Sequence, residues 1–425
     1  MRKIKLFQVI VLVVIPMIFV GCEKKAINIE KPEKIVSKRH VVYDKQTYLE
    51  LAELWKAYYN EFPSEDAYAN WMYAARYAEW PNYESLLEDG IDKYYAQPTL
   101  LYLKALLRHG KENDLESINL LERAVKLDPT FVDPWFGLVI DYMGNGELEK
   151  SDSALRKLLS ADAISDQVMD YNYNVISLLE ENAILITNGD NDTYPGWILT
   201  KILNYRPDVK IVNRSLLNTE WYPRHLINNE GIPSFITSNG LTKLREDIVS
   251  KIKSGEMKST PIGPFSDVLI SKLIGTTQKN NRPIYLASTL YQSEIIKNFK
   301  EEGINLGLVT KIKSGKESYP EQIKKIVGIW LDEFRTGGLT SWNLRYGKKT
   351  ACGKWLAINY GMSIKFLMGP IKKYVPEKRL ELFNWYIHNI LDLLTSEKSD
   401  AINSAWCTSA DIKEIKEWCK TKNYL

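Results

Sequence analysis

The hydrophobic period of the chain changes near Glu180, and that change limits the fold more than any other feature. From about Thr47 to Leu179 apolar residues recur at helical spacing. Beyond Glu180, "AILIT" (183–187) is a short β-branched run of the kind that forms a buried strand. "NGDNDTYP" breaks it, and "GWILTKILNY" then places Trp197, Ile198, Lys201 and Ile202 on successive helical turns. Arg206–Pro207–Asp208 marks a turn before "VKIVN" (209–213), a second strand. Strand, loop, helix and strand within about thirty residues form a βαβ unit with parallel strands and a right-handed crossover. "RPIYLAST" (282–289) reads as a third strand and "INLGLVTKI" (304–312) as a fourth, with helical patterns near 240–253 and 291–301. The expected fold class is multidomain α and α/β: helical repeats over 46–180, a small parallel-sheet, three-layer α/β domain over 181–345, and C-terminal helices over 346–425.

The helical half carries an internal period. With Pro98 as the first residue of a unit, Leu101, Ala105, Leu121, Ala124 and Pro129 fall near tetratricopeptide consensus positions. A shift of about 34 residues brings Trp135, Leu138 and Tyr142 to the first helix of the next unit. A further copy starts near Ser64, with Trp71 and Ala74. A non-repeating helical bundle is the alternative. Trp55, Tyr58, Tyr59, Trp71, Tyr73, Tyr77 and Trp80 stand at helical spacing, which reads as core more than as a sugar-stacking surface. Superhelices of repeats offer a face to a protein partner.

The first residues, "MRKIKLFQVIVLVVIPMIFVGC", combine a basic start, an apolar stretch and Gly21 before Cys22. The stretch is short for a membrane span of about 20 residues. It resembles a bacterial lipobox, with Phe19 where Leu is usual, which implies a signal peptide over 1–22 and lipidation of Cys22. A retained signal anchor is the alternative. Lipidation implies an extracytoplasmic, membrane-tethered protein of the cell envelope, facing the periplasm or the cell surface, with residues 23–45 as a tether. The net charge of +3 gives no argument for nucleic acid as a partner. Cys352, Cys407 and Cys419 show no zinc spacing; Cys407 and Cys419 form either a local disulfide or two buried thiols.

The chemical clue is "ILITNGDNDTYPGWIL" (184–199). In parallel sheets, ligands bind beyond the carboxyl ends of the strands. Asp190, Asn191, Asp192 and Thr193 follow the first strand, Asn213, Asn218 and Thr219 the second, and Ser288 and Thr289 end the third. On one rim these oxygens suit a divalent cation, held by Asp190 and Asp192, or the hydroxyls of a sugar. The competing account is local. Asp192 or Thr193 caps the next helix, Pro195 sits early in it at no cost, and Gly189 supplies a special turn. A phosphate site is disfavoured by the carboxylates and the missing Gly-rich loop. His225 with Glu220 forms a candidate base near the rim, against the commoner structural role of a lone His. "FRTGGLTSWNLRYGKKTACGKW" (334–355), with Gly337–Gly338, Arg335, Arg345 and Lys348, is either a loop over the pocket or a basic surface loop. The C-terminal segment, with Trp385, Trp406 and Trp418, is expected to pack as a helical cap.

"ILITNGDNDTYPGWIL", "RPDVKIVNRSLLNTEWYPRHL", "NRPIYLAST" and "INLGLVTKI" resemble the soluble C-terminal part of an uncharacterised bacterial membrane-protein family whose multi-spanning portion is related to protein O-mannosyltransferases. The resemblance covers about residues 180–345, with "GDNDTYP" and "SLLNTEWY" its specific parts. That spanning portion has no counterpart here, so transferase activity is not carried over. The resemblance implies an envelope setting and contact with glycans or secreted protein. Two functions follow. The first is a lipoprotein scaffold whose repeats bind a protein and whose α/β domain binds a polar ligand or glycan. The second is a metal-assisted envelope hydrolase or transferase acting on glycans at the acidic loop.

Overall fold

The structure, a computed structural model, describes residues 30–41, 43–108, 114–257, 264–290, 292–312, 318–341 and 352–391. Cys22, Arg345, Lys348, Cys407, Cys419, Trp406 and Trp418 lie outside them, as does the side chain of Cys352. No helix of the described residues is long and apolar enough to cross a membrane.

Among the described residues eight helices precede the sheet: α1 (Lys45–Glu61), α2 (Glu65–Tyr77), α3 (Tyr83–Lys93), α4 (Pro98–Arg108), α5 (Leu115–Leu127), α6 (Asp133–Gly144), α7 (Leu148–Ser160) and α8 (Asp166–Ser177). Side-chain caps start several of them by satisfying orphan amides. Asp44 accepts from Thr47 at 2.8 Å, Ser64 from Ala67 at 3.2 Å and Asp114 from Ser117 at 3.0 Å. Helix α1 packs on α2, α4 on α5, α6 on α7, and α5 on α6. Small residues permit the approach: Ala105 and Ala124 are buried, and a Cβ on Gly90 would overlap the Tyr68 ring. Trp55, Trp71 and Tyr73 are buried, while Tyr58, Tyr59, Tyr77 and Trp80 pack half-buried on the same core.

The sheet follows as β1 (Ile184–Thr187), β2 (Lys210–Asn213), β3 (Ile284–Ala287), β4 (Ile304–Asn305) and β5 (Val309–Lys311), in the order β2-β1-β3-β5-β4. Strand β1 runs parallel to β2 and β3, with Thr187 opposite Asn213 at the carboxyl end. The sheet is not wholly parallel, however. β5 pairs antiparallel with both β3 and β4. The expected single strand over 304–312 is instead a hairpin. Gly307 reverses the chain at φ +92°, a conformation open to glycine, and its amide donates to Asn305 Oδ1 at 2.8 Å.

Between the strands lie α9 (Asp190–Trp197), which continues as a π-helical turn over Ile198–Ile202, then α10 (Tyr222–Asn229), α11 (Ser238–Lys253), α12 (Pro264–Lys279) and α13 (Glu294–Glu302). After the sheet come α14 (Tyr319–Asp332), α15 (Cys352–Tyr374) and α16 (Arg379–Tyr386). α14, α15 and α16 pack together, and Trp385 meets Trp330 edge-on at 5.4 Å. One continuous buried cluster runs from Tyr48 to Ile390, so helices and sheet share a core.

The described part of the 334–355 segment is fastened to α8. Asn174 receives the Arg335 amide at 2.7 Å and donates to the Arg335 carbonyl at 2.8 Å. Asp170 accepts the Gly338 amide at 2.7 Å, and the Arg335 guanidinium lies 3.8 Å over the Tyr173 ring. A Cβ on Gly338 would overlap the backbone of Asp166 and Gln167, so glycine is needed there for closeness.

Candidate functional site

Two residues separate the end of β1 from α9, and Asp192 is the third residue of that helix. Its carboxylate turns back along the loop. Oδ2 accepts the Asn188 amide at 2.7 Å and the Thr289 hydroxyl at 2.5 Å, and Oδ1 accepts the Gly189 amide at 2.8 Å. This is the backward half of a capping box, since Gly189 has no side chain to complete it. Asp192 is only 5% exposed, and burial pushes its pKa above the ordinary range while the three hydrogen bonds pull the other way. Gly189 has the extended φ of −158° and a Cβ there would meet nothing within 4 Å, so neither φ nor space at the turn requires glycine.

Asp190 points elsewhere. It pairs with Arg39, whose guanidinium lies 4.4 Å over the Phe136 ring and 5.9 Å from the Tyr194 ring. Burial works against the Arg39 cation, and Asp190 outweighs it with help from Tyr102, Tyr194 and Asp133, holding the pKa above its ordinary value. Asn191 contributes its backbone: its carbonyl accepts from Asn172 Nδ2 at 2.8 Å. Pro195 explains why. It stands sixth in α9, not in the first turn as expected, and cannot donate to the carbonyl four residues back. Asn172 replaces the missing donor.

The remaining oxygens follow the carboxyl ends of the parallel strands but are used in separate internal networks. Thr193 shares a hydrogen bond of 2.7 Å with Thr187 and accepts from Asn213 Nδ2 at 2.9 Å, all three side chains being buried. Asn213 Oδ1 caps the Leu216 amide at 2.8 Å. Asn218 lies farther on, donating to the Ser215 carbonyl at 3.2 Å and accepting the Ser266 amide at 3.1 Å. Thr219 Oγ1 donates to the Leu216 carbonyl at 2.7 Å. Ser288 Oγ meets the Tyr171 hydroxyl at 3.0 Å. Thr289 bonds the Asp192 carboxylate itself.

His225 also has a different partner from the one expected. Its Nε2 is 3.2 Å from Glu230 Oε1, whereas Glu220 is exposed and 3.7 Å from Arg245. Glu230 also pairs with Lys201. Burial would raise the Glu230 pKa, but His225 and Lys201 bring it down to about 2.

Several residues that organise the site carry no motif. Arg214 directly follows Asn213, is fully buried, and pairs with Asp267 of α12; the end-of-strand rule applied to Asn213 reaches it equally well. Residues 30–41, assigned to the tether in sequence, lie along the helices. The Ile35 amide donates to Asn70 at 3.2 Å, Lys38 to the Tyr73 hydroxyl oxygen at 3.0 Å, and Ser37 Oγ to Asp133 at 2.6 Å. Arg39 then closes this strip onto Asp190. No periodicity marks such a segment.

The acidic loop thus presents two carboxylates that face different partners. Among the described residues no group of three His, Cys, Asp or Glu side chains is placed to hold a metal ion. The cavity beside Arg39, Asp190 and Asn191 is about 10 Å³, room for roughly one water.

Two outcomes follow. Asp192→Ala leaves the Asn188 and Gly189 amides without their acceptor and is expected to lower the unfolding free energy by about 2–4 kcal/mol in urea titration. A loss below about 0.5 kcal/mol would contradict the assigned geometry. The second concerns pH. Because the folded pKa of Glu230 is depressed, its stabilisation is complete above the ordinary glutamate range of about 4.3 and is lost as pH falls toward about 2. Glu230→Gln should flatten that acid limb; an unchanged limb would count against the His225–Glu230–Lys201 cluster.

Residues 168–263 match a family model described as TMEM260-associated domain 2. The matched span holds most of α8, the acidic loop, β1, β2, α10 and α11, and stops before β3. No curated protein matches the chain, and no solved structure matches it. This part of the chain is similar to a TMEM260-related family linked to O-mannosyltransferases, in agreement with the resemblance read from "GDNDTYP" and "SLLNTEWY".

Proposed function

We propose that the protein is a lipid-anchored scaffold of the cell envelope, extracytoplasmic and held to the membrane through Cys22. Its helix pairs act as tetratricopeptide-like repeats for a protein partner, and its α/β part binds a polar ligand of glycan type. The observation that carries this is the use of the acidic loop as an internal joint. Asp192 is committed to the Asn188 and Gly189 amides and to Thr289, and Asp190 to Arg39. No catalytic step is assigned to either carboxylate. The helix starts lend support to the repeats: Glu65, Pro98 and Asp133 open α2, α4 and α6, and Tyr83, Leu115 and Leu148 open α3, α5 and α7, close to the period of about 34 residues. The family match over 168–263 supports the glycan setting.

The docked strip gives the anchor a consequence. With a lipid on Cys22 and the backbone first bonded to the body at Glu33, whose carbonyl accepts from Trp55 Nε1, at most about 40 Å of extended backbone separates membrane and body. The body is then held close to the lipid surface.

Two measurements test this. Labelled palmitate should enter the wild type and not Cys22→Ala, which should leave the membrane fraction; labelling that survives the substitution would overturn the anchor. Calorimetric titration of residues 23–425 with calcium, magnesium and manganese should show no saturable heat that Asp190→Asn/Asp192→Asn removes. Such a heat would replace the joint with a metal site and turn the reading toward a metal-assisted glycan hydrolase or transferase.

A further inference from the structure

A large cavity lies away from the acidic loop, on the other side of Ser288. It is a cleft of about 1020 Å³ bordered by β3, β4, β5, α13, α14 and α15. That is at the upper end of the ~300–1,000 Å³ range of small-molecule sites. Its wall mixes hydroxyl and amide groups from Ser288, Asn305, Gln322 and Asn359 with the ring of Tyr319.

Charge in the cleft is unevenly compensated. Lys297 lies 3.7 Å from Glu301, and Lys311 pairs with Glu180. Lys300 differs. It is half-buried, and its ammonium donates only to the carbonyls of Ser288 and Leu290, at 3.4 and 3.3 Å. Among the described residues no carboxylate lies within ion-pair reach of it. Burial, reinforced by the nearby Arg214 cation, brings its pKa down to about 8. The two carbonyls are neutral partners, so the ammonium keeps its desolvation cost without a counter-ion among the described residues.

We propose that this cleft binds a saccharide carrying one carboxylate, with Lys300 pairing the carboxylate, the amides and hydroxyls meeting the sugar hydroxyls, and Tyr319 lying against a ring face. One uncompensated lysine matches a monoanion, whereas a phosphate monoester brings nearly two charges. Aromatic rings and planar amides are the groups that recognise polyhydroxylated rings, offering an apolar face and directional hydrogen bonds. The site lies mostly beyond the residues that match the family model, in the part of the sheet where the strands turn antiparallel. The assignment rests on the reading that the α/β part takes a polar ligand; the lipid anchor and the acidic joint stand or fall by their own measurements.

The test is calorimetry on residues 23–425 with a glucuronic acid tetrasaccharide, the neutral glucose tetrasaccharide and inorganic phosphate. The acidic sugar should bind at least ~10-fold more tightly than the neutral one, and phosphate should not displace it at equal concentration. Lys300→Met should lose at least ~10-fold in affinity with melting temperature unchanged or raised, while Lys300→Arg keeps most of the binding. Asn359→Leu should weaken the same sugar. Equal binding of the neutral sugar overturns the charge assignment, and displacement by phosphate overturns the saccharide. Unchanged binding in Lys300→Met, or no binding to folded wild type at millimolar sugar, overturns the site. A marked fall in the melting temperature of Lys300→Met overturns it too, because Lys300 would then be a staple for the two carbonyls.

Discussion

The carboxylate of Asp192 joins the end of β1, the start of α9 and the end of β3. Through the Asn188 and Gly189 amides it fixes the turn from β1 into α9, and through Thr289 it ties that turn to the end of β3. Placing a negative charge in the first turn of α9 also suits the helix dipole. The cost is a carboxylate buried away from water, which three donors offset. Asp190 extends the same joint outward, to Arg39 and so to the strip that lies along α2 and α6. Two adjacent acids therefore act in opposite directions, one into the sheet and one toward the N-terminal helices. That answers why the sequence places them so close together.

Much of this was open to reading in the residues. Apolar spacing gives the change of period at Glu180, the strands at 183–187, 209–213 and 282–289, and the helices near 240–253 and 291–301, which correspond to β1, β2, β3, α11 and α13. The hairpin at 304–311 was missed because its apolar residues run on in strand fashion; the Asn305 and Gly307 pair is a turn signal that short apolar runs obscure. Helix α12 leaves Asp267 buried against Arg214, a pairing across 53 positions that no local pattern announces. Asp192 accepts backbone amides at the helix start, from the third position of the helix rather than from its cap. The role of Asn172, which supplies the bond that Pro195 cannot, depends on α8 lying beside α9. Contacts of that kind belong to the tertiary fold and carry no periodic trace.

The polar ends of the parallel strands are thus largely occupied by internal bonds, through Thr187, Thr193, Asn213 and Asp192. The open space lies instead beside the antiparallel part of the sheet, where Lys300 meets a cleft lined with amides and hydroxyls. Ser288 marks the boundary, touching Tyr171 on one side and lining the cleft on the other.

The central claim is that the acidic loop is held by its own carboxylate, and amide hydrogen exchange resolved at Asn188 and Gly189 addresses it directly. In the wild type both amides should exchange slowly, by way of openings that the Asp192→Asn substitution makes locally easier while the β1 amides keep their protection. Fast exchange at both positions in the folded wild type would mean that the carboxylate is free, and the loop would return to being a candidate ligand site.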